Sequence, residues 1–525
     1  MAKLDQGPGP AAPLLALAIA GLACLAYLGS ELYLLSGRLA FPLDDSWIHL
    51  RFAQQLAAGA GLAYNPGGPW VPGSTAPLWT ALLAPGFLLP ALAVAWSKLL
   101  GCVFFLATVD ATGRLAAVLG LGRGLQRLAA VLVAATHWLV WSALSGLEIG
   151  LFSTLSLWGI VLHLRERADP ARPTLSLAVL ALACLARPEG YLLLLLALAD
   201  RLVPGGAAAR DLRAALRGLL PAALILLPTL IFYRLTGGSF LPTTFAVKAG
   251  GGAASGLGDL LPSGAYLRAV LDVVFRSQPL MLLLAGAGVL RLAEGLGNGR
   301  RHGLLPALWP LGLALAYAVL APAAGPVLVG NFGRYFFPVM PLVVVLGVLG
   351  LKRAARLLRP RAPALRWALV ALLLAPQLFG LYRGPLRYLQ TVTNVEDSDV
   401  AAARWLAGRL PPEALLAVQD IGALKYFLPN PIVDLTGIVN PDLLPYLRGP
   451  GEVYWEERLL AYLEQRRPDY LVVFPRSYPM LTAGSAAGGP AGFTEVRTFP
   501  VPRNVTMAGD EIAIFSTPWT RHPLG

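Results

Sequence analysis

Charge is what this chain most conspicuously lacks. Only 14% of its 525 residues are charged, against 56% hydrophobic, and the mean hydropathy is +0.63. A soluble chain of this length is nearer a quarter charged, so a soluble globular protein is excluded. Cysteine is scarce as well: Cys24, Cys102 and Cys184 all sit inside apolar runs. There is no CxxC, no HExxH and no Walker-type GxxxxGK, which leaves zinc, thiol and P-loop chemistry without support. "VLGLGRG" around Gly120 only half resembles a nucleotide loop, and no strand precedes it, so it reads as a turn. A small-x-small cleavage site is also missing from "LACLAYL". The run Ala11–Leu35 therefore reads as a retained first span, with "MAKLDQ" inside, and not as a secretory signal.

What is abundant is apolar sequence. Segments near 12–35, 92–119, 128–145, 149–164, 174–187, 190–203, 218–235, 279–296, 304–321, 335–351 and 366–382 approach the ~20 residues that cross a bilayer, which predicts about eleven spans. "APLWTALLAPGFLLP" is shorter and bracketed by prolines, as an interfacial or re-entrant helix would be. The net charge of +13 is that of a polytopic protein with basic cytoplasmic loops, and nucleic acid is not an expected partner. With the N-terminus cytoplasmic, the inner loops carry "GRGLQR", "RERADPAR", "RDLRAALR", "GNGRRHG" and "KRAARLLRPRAPALR". The outer face then receives a first loop at about 36–91, Glu148, "ARPEG", "LPTTFAVK" and "NFGRYFFP".

From about residue 390 the pattern changes. "DVAAARWLAGRL" and "RLLAYLEQRRP" read as helices, and "ALLAVQD", "PIVDLT", "DYLVVF" and "DEIAIF" as short strands. The fold class is thus mostly α: a transmembrane module over 1–389, followed by a small extracytoplasmic α/β domain over 390–525. That domain has no cysteine, so its core must hold it together unaided.

Few residues here can do chemistry. Asp44 and Asp45 stand side by side beside the membrane, where each raises the cost of ionising the other. After Pro42, one of them can N-cap a helix through "SWIHLRFAQQLAAG", a position that Asn fills about as well as Asp. On that helix Asp44, Ile48, Arg51 and Gln55 share one face, and Asp45, His49 and Phe52 another. The plain reading is a capping acid with an arginine nearby, but the second acid has no capping duty. Glu148 stands at the mouth of a span, where an ordinary helix dipole also favours an acid. Arg187 and Glu189 in "ARPEG" read most simply as a neutral pair in a turn. Lys248 and Arg334 lie on the outer side against the positive-inside grain, which calls for an anion, either lipid headgroups or a phosphate. His137 and Trp138 read as packing. His49 has no second histidine, so it is structural or substrate-lining, and Trp79, Arg187 and Glu189 join the lining set.

"LDDSWIHLRFAQQLAAGAGLAYNPGGPWVPGSTAPLW", "SGLEIGLF", "ARPEG", "LPTTFAVK" and "GRYFFPVMP" follow one another in an order that resembles the GT-C superfamily of integral membrane glycosyltransferases. The first motif is most similar to the branch containing the mycobacterial terminal arabinofuranosyltransferase. The resemblance covers most of residues 10–385, and "DIGALKYFLPNPIVDLTGIVNP" is similar to the soluble C-terminal domain of relatives. It implies a polyprenyl-phosphate sugar as donor and a cell-envelope glycan or lipid as acceptor, in a bacterial inner or plasma membrane. It further implies Asp44 as catalytic base with Asp45 its neighbour, Glu148 as the second acidic site, and Lys248, Arg334 and Arg51 near the donor phosphate. A divalent cation stays open as cofactor, with no ligands assigned. "GPWVPGSTAP" lacks the acid found in the relatives' G-x-x-V-E pattern, and no donor sugar carries over. The rival reading is a transporter or flippase of lipid-linked substrates, which would place polar groups at the midplane and show repeated halves.

Overall fold

The computed structural model describes residues 14–169, 172–202, 208–244, 267–268, 271, 278–297, 304–324, 331–357, 363–447, 455–483 and 492–525. The chain divides into two compact units, neither continuous in sequence. One comprises Met1–Ser30, Lys98–Thr229 and Gly256–Pro385. The other joins Glu31–Ser97 and Leu230–Ser255 to Leu386–Gly525. The residues from about 390 onward thus share a compact unit with Glu31–Ser97, which includes most of the loop expected over 36–91.

Each of the eleven apolar segments is helical, but they are unequal. Five helices among the described residues are long and apolar enough to cross a membrane: Leu14–Leu34, Pro90–Val118, Leu216–Gly237, Gly333–Ala355 and Trp367–Leu406. A sixth candidate is the pair Arg123–Ala134 and His137–Leu144, bent by 55°. The protein is an integral membrane protein, but the count of about eleven is not reproduced. Two of the segments that fall out do so by length. Ser176–Ala186 has 11 residues and Gly190–Leu202 has 13, about 16 and 20 Å at 1.5 Å per residue, against a hydrocarbon core of about 30 Å. These two helices form a hairpin around "RPE", so counting both or neither leaves the sidedness of the flanking loops unchanged.

In the first unit the apolar stretch of Gly333–Ala355 is 94% buried, because it packs at backbone distance against its neighbour. A Cβ on Gly350 would lie 1.9 Å from the carbonyl oxygen of Leu284, and one on Gly288 2.0 Å from that of Leu346. Only glycine permits so close an approach between helices, as small-residue contacts do in membranes generally. Polar cross-links tie down the helix Ile149–Ala168. Glu166 accepts the backbone N–H groups of Leu175 and Ser176 at 2.7 and 2.8 Å and pairs with Arg201, while His163 lies 2.8 Å from Asp200.

The second unit contains a five-stranded sheet in the order β2-β1-β3-β5-β4, with β1 (Leu416–Val418), β2 (Ile432–Asp434) and β3 (Tyr470–Val473) parallel, and β5 (Glu511–Ser516) and β4 (Thr494–Pro500) antiparallel. Side chains alternate between its faces, as the two-residue period of a strand requires. Leu416, Val418, Tyr470, Val472, Ile512 and Ile514 face one core, which also holds Phe52, Tyr64 and Val71 of the first loop. Ala417, Leu471, Val473, Ala513 and Phe515 face the other, under the helix Trp455–Arg466. All four expected strands are present. The missed strand, β4, is polar and exposed along "TEVRTFP", the composition that protects a sheet edge from pairing.

Candidate functional site

The helix Asp45–Ala57 forms as expected, and its first residue follows Asp44. Yet the Asp44 side chain does not cap it. One carboxylate oxygen accepts the backbone N–H of Gly422 and the other that of Ala423, both at 2.7 Å. Asp44 thus caps a different helix, Gly422–Phe427, which starts just beyond β1. That corrects the expectation of local capping. The physical reason is burial: Asp44 is only 9% exposed, and a buried carboxylate takes the strongest donors available, here the free amides of a helix N-terminus. Gly422 is required at this contact, since a Cβ there would lie 2.2 Å from the Asp44 carbonyl oxygen and 2.7 Å from each carboxylate oxygen. Burial, opposed by the two amide hydrogen bonds and aided by the charge of Asp45, pushes Asp44 up to about 7.

Asp45 is half-buried beside it. The division of the helix into two distinct faces gives way to near-complete enclosure, with Trp47, His49, Arg51 and Phe52 all buried. Trp47 packs against Tyr426 and Phe427 with ring centroids 4.9 and 5.0 Å apart. Arg51 donates from Nε to the Tyr64 carbonyl at 3.1 Å and from a terminal nitrogen to Gln54 at 2.7 Å. It shapes the "YNPG" turn, and its other terminal nitrogen is buried without a hydrogen bond. Trp79 is fully buried in the short helix Pro77–Leu83. The "PTT" hydroxyls of the later loop clamp this region: Thr243 donates to Ile438 at 2.6 Å, and Thr244 to Gly73 at 2.8 Å. Lys248 lies outside the described residues.

Three further acids of the same unit accompany Asp44 and Asp45. Asp434 is fully satisfied, accepting from the Thr436 N–H, the Thr436 hydroxyl and the Val439 N–H at 2.6–2.8 Å. Asp420, two residues before Gly422, is half-buried, and burial together with the charges of Asp44, Asp45 and Asp434 pushes it well above the usual carboxylate range. Asp399 is wholly buried on a π-helical turn, Glu396–Val400. Sequence reasoning passed over all three. A signal existed for Asp420, which directly follows a strand in "LAVQD", at the carboxyl end where α/β sheets carry ligands. Nothing local singled out Asp399. Among the described residues, no three His, Cys, Asp or Glu side chains are placed to hold a metal ion.

The other unit gathers the remaining candidates. Arg187 donates to Glu148 at 2.6 Å and to Glu189 at 3.0 Å from Nε. The Arg–Glu pair anticipated in the turn is therefore present, and Glu148 joins it. Tyr317 donates its hydroxyl to Glu189 as well. The guanidinium groups of Arg187 and Arg334 each lie 5.3 Å from the ring of Tyr335, within cation–π range. Glu148, Arg187, Glu189 and Arg334, noted separately along 187 positions of sequence, form one charge-balanced cluster with Tyr317 and Tyr335. His137 and Trp138 pack as expected, with Trp138 stacked on Phe337 at 5.3 Å.

A family model described as a domain of unknown function, DUF8728, matches residues 387–515. No curated protein sequence matches the chain. Solved structures do. ArnT from Cupriavidus metallidurans bound to undecaprenyl phosphate is similar with a TM-score of 0.60 at 14% identity, over 96% of this chain and 97% of that one; its apo state gives 0.57. The Archaeoglobus fulgidus oligosaccharyltransferase tethered with an acceptor peptide containing the NVT sequon gives 0.58 at 12% identity, over 88% of this chain and 69% of the other.

Proposed function

The chain has the GT-C fold, and from that premise we propose that it is a membrane glycosyltransferase moving a sugar from a polyprenyl-phosphate donor to a hydroxyl of an envelope glycan or lipid. The observation that carries this reading is Asp44: a buried acid in the first outer loop, locked by two amides and pushed up to about 7. A general base works best when its pKa lies near the working pH, and membrane packing alone would have no use for an acid so placed. Asp44 takes the proton of the acceptor hydroxyl. The acceptor oxygen then bonds to the anomeric carbon, and the bond from that carbon to the phosphate oxygen breaks with its electron pair leaving on the phosphate. The anomeric configuration inverts. Asp45 tunes Asp44 through its charge. Arg334 and Lys248 are the cations offered to the leaving phosphate, whose negative charge grows as the bond breaks. Glu148 is held by Arg187, and in this reading it positions that arginine.

The full chain in lipid nanodiscs, given short-chain polyprenyl-phosphate pentoses and hexoses, should glycosylate octyl glycosides. An arabinofuranosyl donor is the first to try, because of the "DD" and "GLAYNPG" motif. Asp44→Ala should lower transfer to hydroxyl acceptors by roughly 10²–10⁴, the usual contribution of a general base. Azide has no proton to lose, so Asp44→Ala should glycosylate it as well as the wild type does. Equal losses with azide and with hydroxyl acceptors would remove Asp44 as the base. Movement of intact lipid-linked sugar across proteoliposomes without product would replace the enzyme reading with the flippase.

A further inference from the structure

The strand order of the C-terminal domain reverses within its sheet. From β1 the chain leaves toward β2 on one side, and from β3 toward β4 on the other, so the carboxyl ends of β1 and β3 flank a switch point. Open α/β sheets bind ligands at such points. Gln419 bridges the two ends, accepting the Phe474 N–H at 3.0 Å and approaching the Ser477 hydroxyl at 3.3 Å. Asp420 is the next residue. It is half-buried, and among the described residues nothing hydrogen-bonds to its carboxylate.

A second observation is independent of the acids being clustered. Asp399 is 0% exposed, and neither of its carboxylate oxygens has a hydrogen bond of good geometry; the Ser398 hydroxyl and its own amide lie close enough to favour its charge, but less than burial disfavours it. The Ser398 hydroxyl donates instead to the Asn394 carbonyl at 2.7 Å. The charges of Asp420 and Asp44 both act on Asp399. Leaving a buried carboxylate without well-formed hydrogen bonds is costly, and Asp434 in the same domain shows how readily an acid here is satisfied when its role is structural.

We infer that Asp420, backed by the buried Asp399, is the acceptor-binding residue of the C-terminal domain, and that it takes hydroxyl hydrogens from the acceptor sugar beside Asp44 and Asp45. This rests on the glycosyltransferase reading and deepens it. The ligand class follows from the groups present. A carboxyl group accepts hydroxyl hydrogens in either protonation state and can donate one when protonated, and short O–H···O⁻ bonds form once it is ionised, so a neutral polyol, which both donates and accepts, supplies what these acids lack. In their ionised form the same acids would repel an anionic donor phosphate. A metal ion is disfavoured because no three ligand side chains among the described residues converge.

Removing one of several mutually repelling acids should relieve the fold while harming binding. Asp420→Asn in the full chain should melt at or above the wild-type temperature. It should raise the KM for octyl glycoside acceptors by about ten- to a hundredfold, the effect of losing a hydrogen bond to a charged group, with the KM for the lipid donor unchanged. Asp420→Glu keeps the charge and should recover part of the acceptor affinity. Asp399→Asn should follow Asp420→Asn in direction. An unchanged acceptor KM in an active Asp420→Asn protein would overturn the inference and leave the enzyme reading standing. A clear fall in melting temperature would show Asp420 to be structural and overturn it too. Absence of transfer by the wild type from every donor would instead fail the parent reading.

Discussion

Gly422→Ala adds one methyl group at the contact that places Asp44. The new Cβ would lie 2.2 Å from the Asp44 carbonyl oxygen and 2.7 Å from both carboxylate oxygens. The closest of these atoms is backbone and cannot swing aside, so Asp44 must retreat by about an ångström, a displacement that can cost about a hundredfold in rate. Retreat also gives up the two 2.7 Å hydrogen bonds from Gly422 and Ala423. At about 1.5–3 kcal/mol each for a charged acceptor, the loss is about 3–6 kcal/mol when Asp44 is ionised and less when it is protonated. The destabilisation should therefore grow as the pH rises through about 7, where Asp44 titrates. Thermal melting by tryptophan fluorescence at pH 6 and pH 8, with turnover measured alongside, reads both effects. Wild-type turnover and an unchanged melting temperature at pH 8 would refute the clamp and with it the placement of the base.

Asp44→Asn should no longer be innocuous, as local capping would have made it. It sets an NH₂ against one of two N–H donors and should lose about 1–3 kcal/mol of stability, whereas Asp45→Asn should not; paired melting curves decide. Because Asp44 is raised when folded, the native state keeps its proton between about pH 4 and 7 while the unfolded chain gives it up, so stability should fall with rising pH over that window. Lys425 is pushed down to about 7 by burial and by Arg51; above that pH the unfolded chain holds the extra proton, which opposes the continued loss from Asp420, so the fall should flatten above neutrality in a melting-temperature profile. Arg187→Met should cost about 3–5 kcal/mol by stranding two buried or half-buried glutamates, and Glu148→Gln less, as judged by melting. In a cysteine-free background, a cysteine at Arg497 should react with an impermeant thiol reagent from outside intact cells, and one at Arg172 should not; the reverse pattern would invert the proposed orientation.

The sequence carried the helices almost completely, because an apolar run of this kind has few alternatives to a helix in a membrane. It did not carry their lengths. "SLAVLALACLA" and "GYLLLLLALADRL" are as greasy as true spans, and only the turn at Arg187–Glu189 makes them short. In the C-terminal domain, β1, β2, β3 and β5 announce themselves by buried β-branched and aliphatic residues, while β4 hides behind "TEVRTFP". The acids divide in the same way. Asp44 and Asp45 were legible because a membrane-adjacent pair is locally anomalous. Asp420 and Asp399 are ordinary in their own windows and become anomalous only when a fold brings them together over some 350 positions. Hydrophobic periodicity reports what one element does with its own neighbours, and it carries no information about which loop an acid will face. The partner of Asp44 is the sharpest case. A local rule predicted that it caps the helix it precedes, yet its ligands are the two amides at the start of a helix in another part of the chain, at the one position where a glycine leaves room. Long-range contacts of that kind decide the chemistry of the site, and in a single sequence the glycine after "QDI" was the one visible mark they left.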